Sequence, residues 1–272
     1  MKGLERVLRI VEEARHRLIR VVLVLGPLFG FLITFQLRSL PVALAGITIP
    51  LAYPYPNLFD NITAQLFRAL VGWMLPHGVT LLNVGVGDSV VVQMEIGALL
   101  TVILGMPWLV HEAAQFLVPA LRQSERQLAR RVGIPATLLF ALGTGVALAW
   151  ITPLTFNLLF RYVGAMGLAP VLGVQDFVAF ALLYSLAFGV VFELPVFVYA
   201  LTRLGVVRAK TWRRHWRAAV IGALFFGMVI TPDNSGVTML LIALPMVALY
   251  LGGAYFAQRW ETGRRVPVPV GG

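Results

Sequence analysis

The sequence predicts an all-α polytopic membrane protein with six transmembrane helices and both termini on the cytoplasmic side. Three observations lead to this fold class. The 272 residues are 59% hydrophobic and only 12% charged, whereas roughly a quarter of the residues in soluble domains are charged. Six apolar segments approach or reach the length needed to cross a bilayer. The basic residues concentrate in segments that six crossings would place on one side of the membrane.

The six apolar segments differ in length. They lie near 19–37, 91–113, 132–156, 177–202, 218–231 and 237–257. A spanning helix needs about 20 apolar residues, so the fifth segment is short and the sixth is modest. These two are expected to form a hairpin around TPDNSG (231–236) that thins the bilayer locally or does not cross it fully. The alternative is that the fifth helix begins before Arg217.

The basic residues predict the orientation. Nineteen of the 22 lysines and arginines lie in residues 1–20, 114–131, 203–217 and the C-terminal tail. The other three are Arg38, Arg68 and Arg161. The positive-inside rule therefore places both termini in the cytoplasm of a multi-pass protein of the cytoplasmic (inner) membrane. Topology and attraction to anionic lipids account for the net charge of +10, so nucleic-acid binding is not required.

Two helices are expected beside the spans. Apolar residues recur at helical spacing within residues 4–18, which predicts an amphipathic N-terminal helix on the membrane surface. Within residues 54–78, apolar residues recur every four positions from Leu58 to Met74. This pattern predicts an external interfacial helix with Asn57 or Asp60 as its N-cap. Residues 1–260 are expected to form a single membrane domain, and 261–272 a disordered cytoplasmic tail.

Glu193 lies in the apolar stretch AFGVVFELPVF (187–197). A charged group at the bilayer centre costs about 2.5–3.5 kcal/mol on insertion scales. Four interpretations remain open: a docking point for a partner helix, a proton site, a hydrophilic dent in the helix bundle, or polar glue between the chain's own helices. Pro195 cannot donate to the carbonyl four residues earlier, so a kink is expected near the carboxylate.

The remaining motifs point away from catalysis. Glu95 and Glu112 lie at the two ends of the second segment, which suits an interfacial position. HEAAQ (111–115) lacks the second histidine of a zinc-protease motif, and the chain contains no cysteine. Close helix packing is enough to explain the GxxxG pair Gly26 and Gly30. The sequence therefore predicts no enzymatic activity, metal or cofactor.

Isolated acids occur within the basic segments. Glu125 is the only acid in residues 114–131, and Glu13 lies among the arginines of residues 1–20. One interpretation is that each forms a salt bridge with a neighbouring base, which contributes little when exposed. The other is that both face one groove that accepts a guest bearing two arginines, because guanidinium binds carboxylate bidentately.

Five stretches, in order along the chain, together resemble the TatC family of twin-arginine protein translocases. They are EARHRL (13–18), FLVPAL with Glu125 (116–125), AFGVVFELPV (187–196), ITPD (230–233) and ALPM (243–246). The resemblance implies a core receptor subunit that binds Arg-Arg signal peptides of folded cargo for export driven by the proton-motive force. It also implies single-span partner subunits of the TatA/TatB type and a homo- or hetero-oligomer in the lipid bilayer.

The resemblance also assigns roles to individual residues. It implies that Glu13 and Glu125 contact the arginines of the signal peptide. It implies that five residues shape or support that site: Arg15, Arg17, Phe116, Pro119 and Arg126. Glu193, with Pro195, would mark the intramembrane face where the single-span partners dock. The sequence departs from the family pattern at Ala114, in TPDN (231–234), at Met239 and at Leu251, which affects the expected partner contacts more than the signal-peptide site.

The alternative function is a proton-coupled small-molecule transporter in which Glu95, Glu112 and Glu193 line a path. Such transporters are commonly built from internal repeats, and no convincing repeat is found between the two halves of this sequence. A membrane-embedded enzyme is a third hypothesis, which the lack of a nucleophile–base pair or metal motif disfavours.

Overall fold

The computed structural model describes residues 2–44, 47–117, 123–231 and 236–263, with side chains for 11–40, 52–113, 115, 132–231 and 236–262. The helices are α1 Lys2–Thr34, α2 Ile62–Met74, α3 Asp88–Leu117, α4 Gln123–Val146, α5 Thr152–Ala165, α6 Val174–Phe192, α7 Leu194–Arg203, α8 Ala209–Arg214, α9 Trp216–Ile230 and α10 Val237–Gly263. The strands are β1 Phe35–Leu44, β2 Ile47–Pro56, β3 Thr80–Leu82 and β4 Val171–Gly173. A π-helical turn, Ala147–Ile151, joins α4 to α5.

Five stretches of helix in the described residues are long and apolar enough to cross a membrane. They are Val11–Thr34, Asp88–Ala113, Val132–Ala165, Val174–Arg203 and Val237–Thr262. The apolar helix α9 has 15 residues, about 22 Å at the helical rise, which is less than the thickness of a typical hydrocarbon core. The prediction of a helical multi-span protein is confirmed.

The hairpin helices differ from expectation. Helix α9 begins at Trp216, one residue before Arg217, so an earlier start adds little and the helix remains short. Helix α10 continues past residue 257 to Gly263 and reaches spanning length, so the prediction of a modest sixth segment was wrong. The two helices approach closely at Gly227, where an added Cβ would lie 2.7 Å from the carbonyl oxygen of Met239. The predicted turn at 232–235 lies outside the described residues.

The N-terminal helix is longer than predicted. Residues 2–34 form one continuous helix, so the expected amphipathic helix and the first span are a single element. It packs against α3 where glycines allow close approach: an added Cβ at Gly97 would lie 2.9 Å from Ile33 Cγ2. The glycines of α1 do not have this role. An added Cβ at Gly26 or Gly30 would meet no described atom within 4 Å, so the packing explanation for the GxxxG pair was wrong.

The strands were not predicted. Strands β1 and β2 form an antiparallel hairpin in which Phe35 is opposite Pro56 and Pro41 is opposite Pro50. Strands β3 and β4 form a short parallel pair. Both sheets have two strands, so every strand is an edge strand, and edge strands tolerate proline.

Helix α2 confirms the predicted helix after Leu58 but has a different N-cap. The side chain of Asn61 accepts a hydrogen bond from the amide of Ala64 at 2.9 Å. The predicted caps were wrong, because Asn57 Oδ1 instead accepts from the amides of Phe59 and Asp60 in the preceding turn.

Asn61 also ties three helices together. Its side chain is buried, and Nδ2 donates to the carbonyl oxygen of Ile33 in α1 at 2.7 Å and to Gln93 Oε1 in α3 at 2.8 Å. These two hydrogen bonds hold the start of α2 against the C-terminal end of α1 and the N-terminal end of α3.

The chain divides into two compact units, 1–112 with 148–183 and 113–147 with 184–272. In the first unit, α2, α3, α5 and α6 enclose an apolar core. Its buried residues are Met74, Val92, Ile96, Phe156, Phe177, Val178 and Ala181. Stacked rings of Phe156 and Phe177, with centroids 5.4 Å apart, fill its centre.

In the second unit, α4 approaches the backbone of α6 at a glycine. An added Cβ at Gly143 would lie 2.5 Å from the carbonyl oxygen of Phe188 and 2.7 Å from Cγ of Phe192. Two residues further along the same helix, Gly145 is exposed and would meet nothing within 4 Å.

These two glycines give a matched test of the packing. Gly143→Ala should lower stability by roughly 1–3 kcal/mol, because the backbone of α6 must move to admit the methyl group. Gly145→Ala should be neutral or slightly stabilising, because it adds only helix propensity. Thermal unfolding of both purified variants in detergent checks this difference. Equal melting temperatures would contradict the close approach of α4 and α6.

Candidate functional site

Four charged side chains of α1 and α3 form an ion-pair cluster, here called the Arg17 cluster: Glu13, Arg17, Arg20 and Glu112. The three residues of α1 share one helix face because they are spaced by four and three positions. Arg17 Nη2 and Nε donate to Glu13 Oε1 at 2.7 and 3.2 Å. Arg17 Nη1 donates to Glu112 Oε2 at 3.3 Å, and Arg20 Nη1 lies 3.7 Å from Glu112 Oε1.

The two carboxylates of the Arg17 cluster differ in exposure. The side chain of Glu112 is 5% exposed, whereas that of Glu13 is 36% exposed. Both hydrogen bonds from Arg17 reach the same oxygen of Glu13, and no described residue donates to its Oε2. Glu112 is therefore enclosed by arginines, and the partly exposed side chain of Glu13 retains an oxygen that can accept a further donor.

The structure tests only part of the predicted Arg-Arg site. Glu13 and Arg17 are in contact, and Arg15 is exposed on the same helix without an ion pair to a described residue. The side chains of Phe116, Glu125 and Arg126, and all of Pro119, lie outside the described residues. The shared groove between Glu13 and Glu125 stays a prediction.

Neither Arg20 nor the ion pairs of Glu112 were predicted from the sequence. Glu112 was expected at the interface, but it is buried in ion pairs with two arginines. The helical spacing of Glu13, Arg17 and Arg20 was a signal for a shared face. Their partner on α3 is 95 positions away from Arg17, a separation that no local pattern encodes.

Glu193 lies where α6 ends and α7 begins. Its amide donates to the carbonyl of Val190, three residues earlier, at 3.1 Å, and Pro195 occupies the first turn of α7. The predicted interruption near the carboxylate is confirmed. Glu193 Oε1 is buried, and in the described part of the chain it has no hydrogen-bond partner. The polar-glue interpretation therefore finds no hydrogen bond to support it.

An apolar groove lies beside this break. It has a volume of about 400 Å³ and begins at Leu194, next to Glu193. Side chains of α9 and α10 form its other walls, including Phe226, Met246 and Tyr250. Pro195 lies where α7 packs against α10. An added Cβ at Gly253 of α10 would lie 2.9 Å from the Cα of Pro195. Glu193 thus immediately precedes, in the chain, a residue that lines an apolar surface formed by three helices.

A family model, Sec-independent protein translocase protein (TatC), matches residues 9–245. The chain belongs to the TatC family. The TatC protein of Cenarchaeum symbiosum is 39% identical over 251 residues, 92% of this chain and 94% of that protein. The TatC protein of Escherichia coli K12 is 28% identical over 232 residues, 85% of this chain and 88% of that protein.

Solved TatC structures have the same fold. The crystal structure of the twin-arginine translocase receptor TatC in DDM matches with a TM-score of 0.70 at 23% identity, covering 91% of this chain and 99% of that one. The resemblance to TatC found in the sequence is thereby confirmed. This TatC chain is a membrane-embedded, multi-span protein of Sec-independent (Tat) protein transport.

The unsatisfied carboxylate of this TatC chain predicts a stability effect. Glu193→Leu should raise the stability of the isolated protein by roughly 1–3 kcal/mol, because the cost of a buried polar group without a partner is removed. Gln93→Leu is the matched control and should lower stability, because Gln93 accepts a hydrogen bond from buried Asn61. Thermal unfolding in detergent measures both; a destabilised Glu193→Leu variant would favour the glue interpretation.

Proposed function

We propose that this TatC protein is the core receptor subunit of a twin-arginine translocase. It binds the Arg-Arg signal peptides of folded cargo and docks single-span partner subunits of the TatA/TatB type, and the proton-motive force drives export. The observation that supports this most directly is that Glu13 is partly exposed and has an oxygen to which no described residue donates, since Arg17 uses only the other one. Family membership and the solved TatC receptors support the same assignment.

The proposal includes six crossings with both termini in the cytoplasm. If α9 crosses, all four base-rich segments lie on one side, as the positive-inside rule requires. If α9 does not cross, the C-terminal tail lies opposite the N-terminal segment and the bases are divided. A helix of about 22 Å crosses only where the bilayer thins, which costs fractions of a kcal/mol per Å of mismatch.

Recognition of the signal peptide relies on guanidinium chemistry. Two adjacent arginines of the guest each bind one carboxylate, one at Glu13 and one at Glu125. Arg15, Arg17, Phe116, Pro119 and Arg126 shape or support this site. One guest guanidinium donates to the oxygen of Glu13 that Arg17 leaves unused, and the other can pair with Glu125 through two parallel hydrogen bonds, a geometry that the point charge of a lysine ammonium cannot reproduce. The site therefore selects Arg-Arg over Lys-Lys.

Charge reversal tests this recognition. Glu13→Arg combined with Glu125→Arg should abolish crosslinking to an Arg-Arg signal peptide, because both acceptors become repulsive cations, while membrane insertion is retained. Glu12→Arg is the matched control, since Glu12 is an exposed acid on the same helix and its reversal should leave crosslinking largely intact. A Lys-Lys peptide should crosslink weakly to every variant. Persistent Arg-Arg crosslinking to the double reversal would exclude the two-carboxylate groove.

Partner docking is proposed at Glu193 and Pro195. A carboxylate without a described partner inside a membrane is stabilised when a neighbouring helix supplies a donor. The apolar groove at Leu194 lies beside it and offers a packing surface for such a helix. A single-span protein that combines an apolar helix with one polar residue matches both features.

Glu193→Ala should weaken co-purification with single-span partners several-fold without loss of the folded receptor, because the partner's polar residue loses its acceptor. Glu95→Ala is the control. Glu95 also has a buried oxygen without a described hydrogen-bond partner. It lies on α3, which contributes no residue to the lining of the groove. Quantitative pull-down from membranes compares the two variants. Equal losses would point to a general effect of removing intramembrane acids.

The transporter alternative becomes weaker. It requires Glu95, Glu112 and Glu193 to line a path, and Glu112 is enclosed by ion pairs with Arg17 and Arg20. A pull-down that compares Arg-Arg with Lys-Lys peptides separates the two functions, because a small-molecule transporter would retain neither.

A further inference from the structure

We propose that Glu112 is a positioning residue of the signal-peptide site. It takes up the positive charge of Arg17 and Arg20 and thereby keeps Glu13 available to a guest arginine. This inference rests on the proposed role of Glu13 in binding the Arg-Arg pair. Glu112 itself is buried, so it acts through Arg17 and does not contact the guest.

The hydrogen bonds of Arg17 provide the first argument. Its Nε and Nη2 converge on Glu13 Oε1, while Nη1 is held by Glu112 Oε2 at 3.3 Å. The guanidinium is thus held across two carboxylates. Without the charge of Glu112, Arg17 keeps Glu13 as its carboxylate partner among the described residues, and this favours the bidentate arrangement in which arginine uses both carboxylate oxygens. The oxygen needed by the guest would then be occupied.

The charge of the Arg17 cluster provides the second argument. Its two carboxylates balance its two guanidinium groups, so the cluster has no net charge when Glu112 is ionised. Loss of Glu112 leaves a net positive charge, which repels a guest that brings two more. The side chains of Arg17 and Glu112 are only 14% and 5% exposed, and charges that water screens poorly interact more strongly.

Arg20 carries a second positive charge that Glu112 offsets, and this provides the third argument. Its side chain is 53% exposed, and the only described ion pair it makes is with Glu112 Oε1 at 3.7 Å. Arg20 lies one turn from Arg17 on the same face of α1. If Glu112 acts as inferred, removal of Arg20 has the opposite effect to removal of Glu112, and removal of both restores the balance.

The test measures the affinity of a fluorescent Arg-Arg signal peptide for the purified full-length chain in lipid nanodiscs. Glu112→Gln should weaken binding about tenfold, the scale of one charge-assisted hydrogen bond. Arg20→Gln should tighten it by about twofold to threefold, and Glu112→Gln with Arg20→Gln should return to within about threefold of the wild type. Glu12→Gln is the matched control: it removes an exposed acid of the same helix and should change affinity less than about twofold.

Two results would overturn the inference. One is that Glu112→Gln binds like Glu12→Gln; the other is that the double variant binds as weakly as Glu112→Gln. If Glu112→Gln does not fold, Arg20→Gln decides alone, because its exposed side chain is dispensable for packing: tighter binding supports the inference and unchanged or weaker binding overturns it. Glu13→Arg separates the two proposals, since a wild type that binds no better than Glu13→Arg overturns the proposed receptor site itself.

Discussion

Buried polar groups need partners, because apolar surroundings offer no hydrogen bonds, and this constraint divides the buried polar residues discussed above into two classes. Asn61 and Glu112 are satisfied within the chain, and they fix helices to one another. Glu193 and Glu95 each have a buried oxygen without a partner among the described residues. The first class helps to hold particular helices together. The second class is stable only if something outside the chain, or a proton, completes it.

The Arg17 cluster shows how one set of ion pairs can serve both stability and recognition. An ion-pair network that serves only stability stabilises the fold most when all its buried carboxylates are fully hydrogen-bonded. Here one carboxylate is enclosed and the other is more than a third exposed, with one oxygen unused by described residues. That asymmetry follows from the sequence: three charged residues share one face of α1, while a single acid on α3 receives two of them. The more exposed end is therefore the end at which the proposed guest arginine would bind.

Much of the architecture could be predicted from the sequence, because its signals are local. Hydropathy predicted the spanning helices, the four-residue recurrence predicted α2, and Pro195 predicted the break at Glu193. The β1–β2 hairpin could not be predicted because its prolines look like strand breakers, although two edge strands accept them. The site was predicted only in part: Glu13 and Arg17 are adjacent on one helix, but Glu112 joins them through a contact between distant parts of the chain.

The break at Glu193 explains why an acid and a proline occur together in so apolar a segment. Pro195 has no amide hydrogen, so the carbonyl of Val191 cannot receive its usual helical bond, and the backbone gains an acceptor close to the carboxylate. The short helix α9 forms one wall of the groove that Leu194 also lines. A spanning helix that is shorter than the hydrocarbon core can be accommodated by local thinning of the bilayer. If α9 crosses the bilayer as proposed, the carboxylate, the freed carbonyl and a thinner apolar layer would together make one polar position on an otherwise apolar face. Under the proposed docking, a helix from another protein that carries a donor at the matching depth would gain a hydrogen bond there that lipid cannot provide.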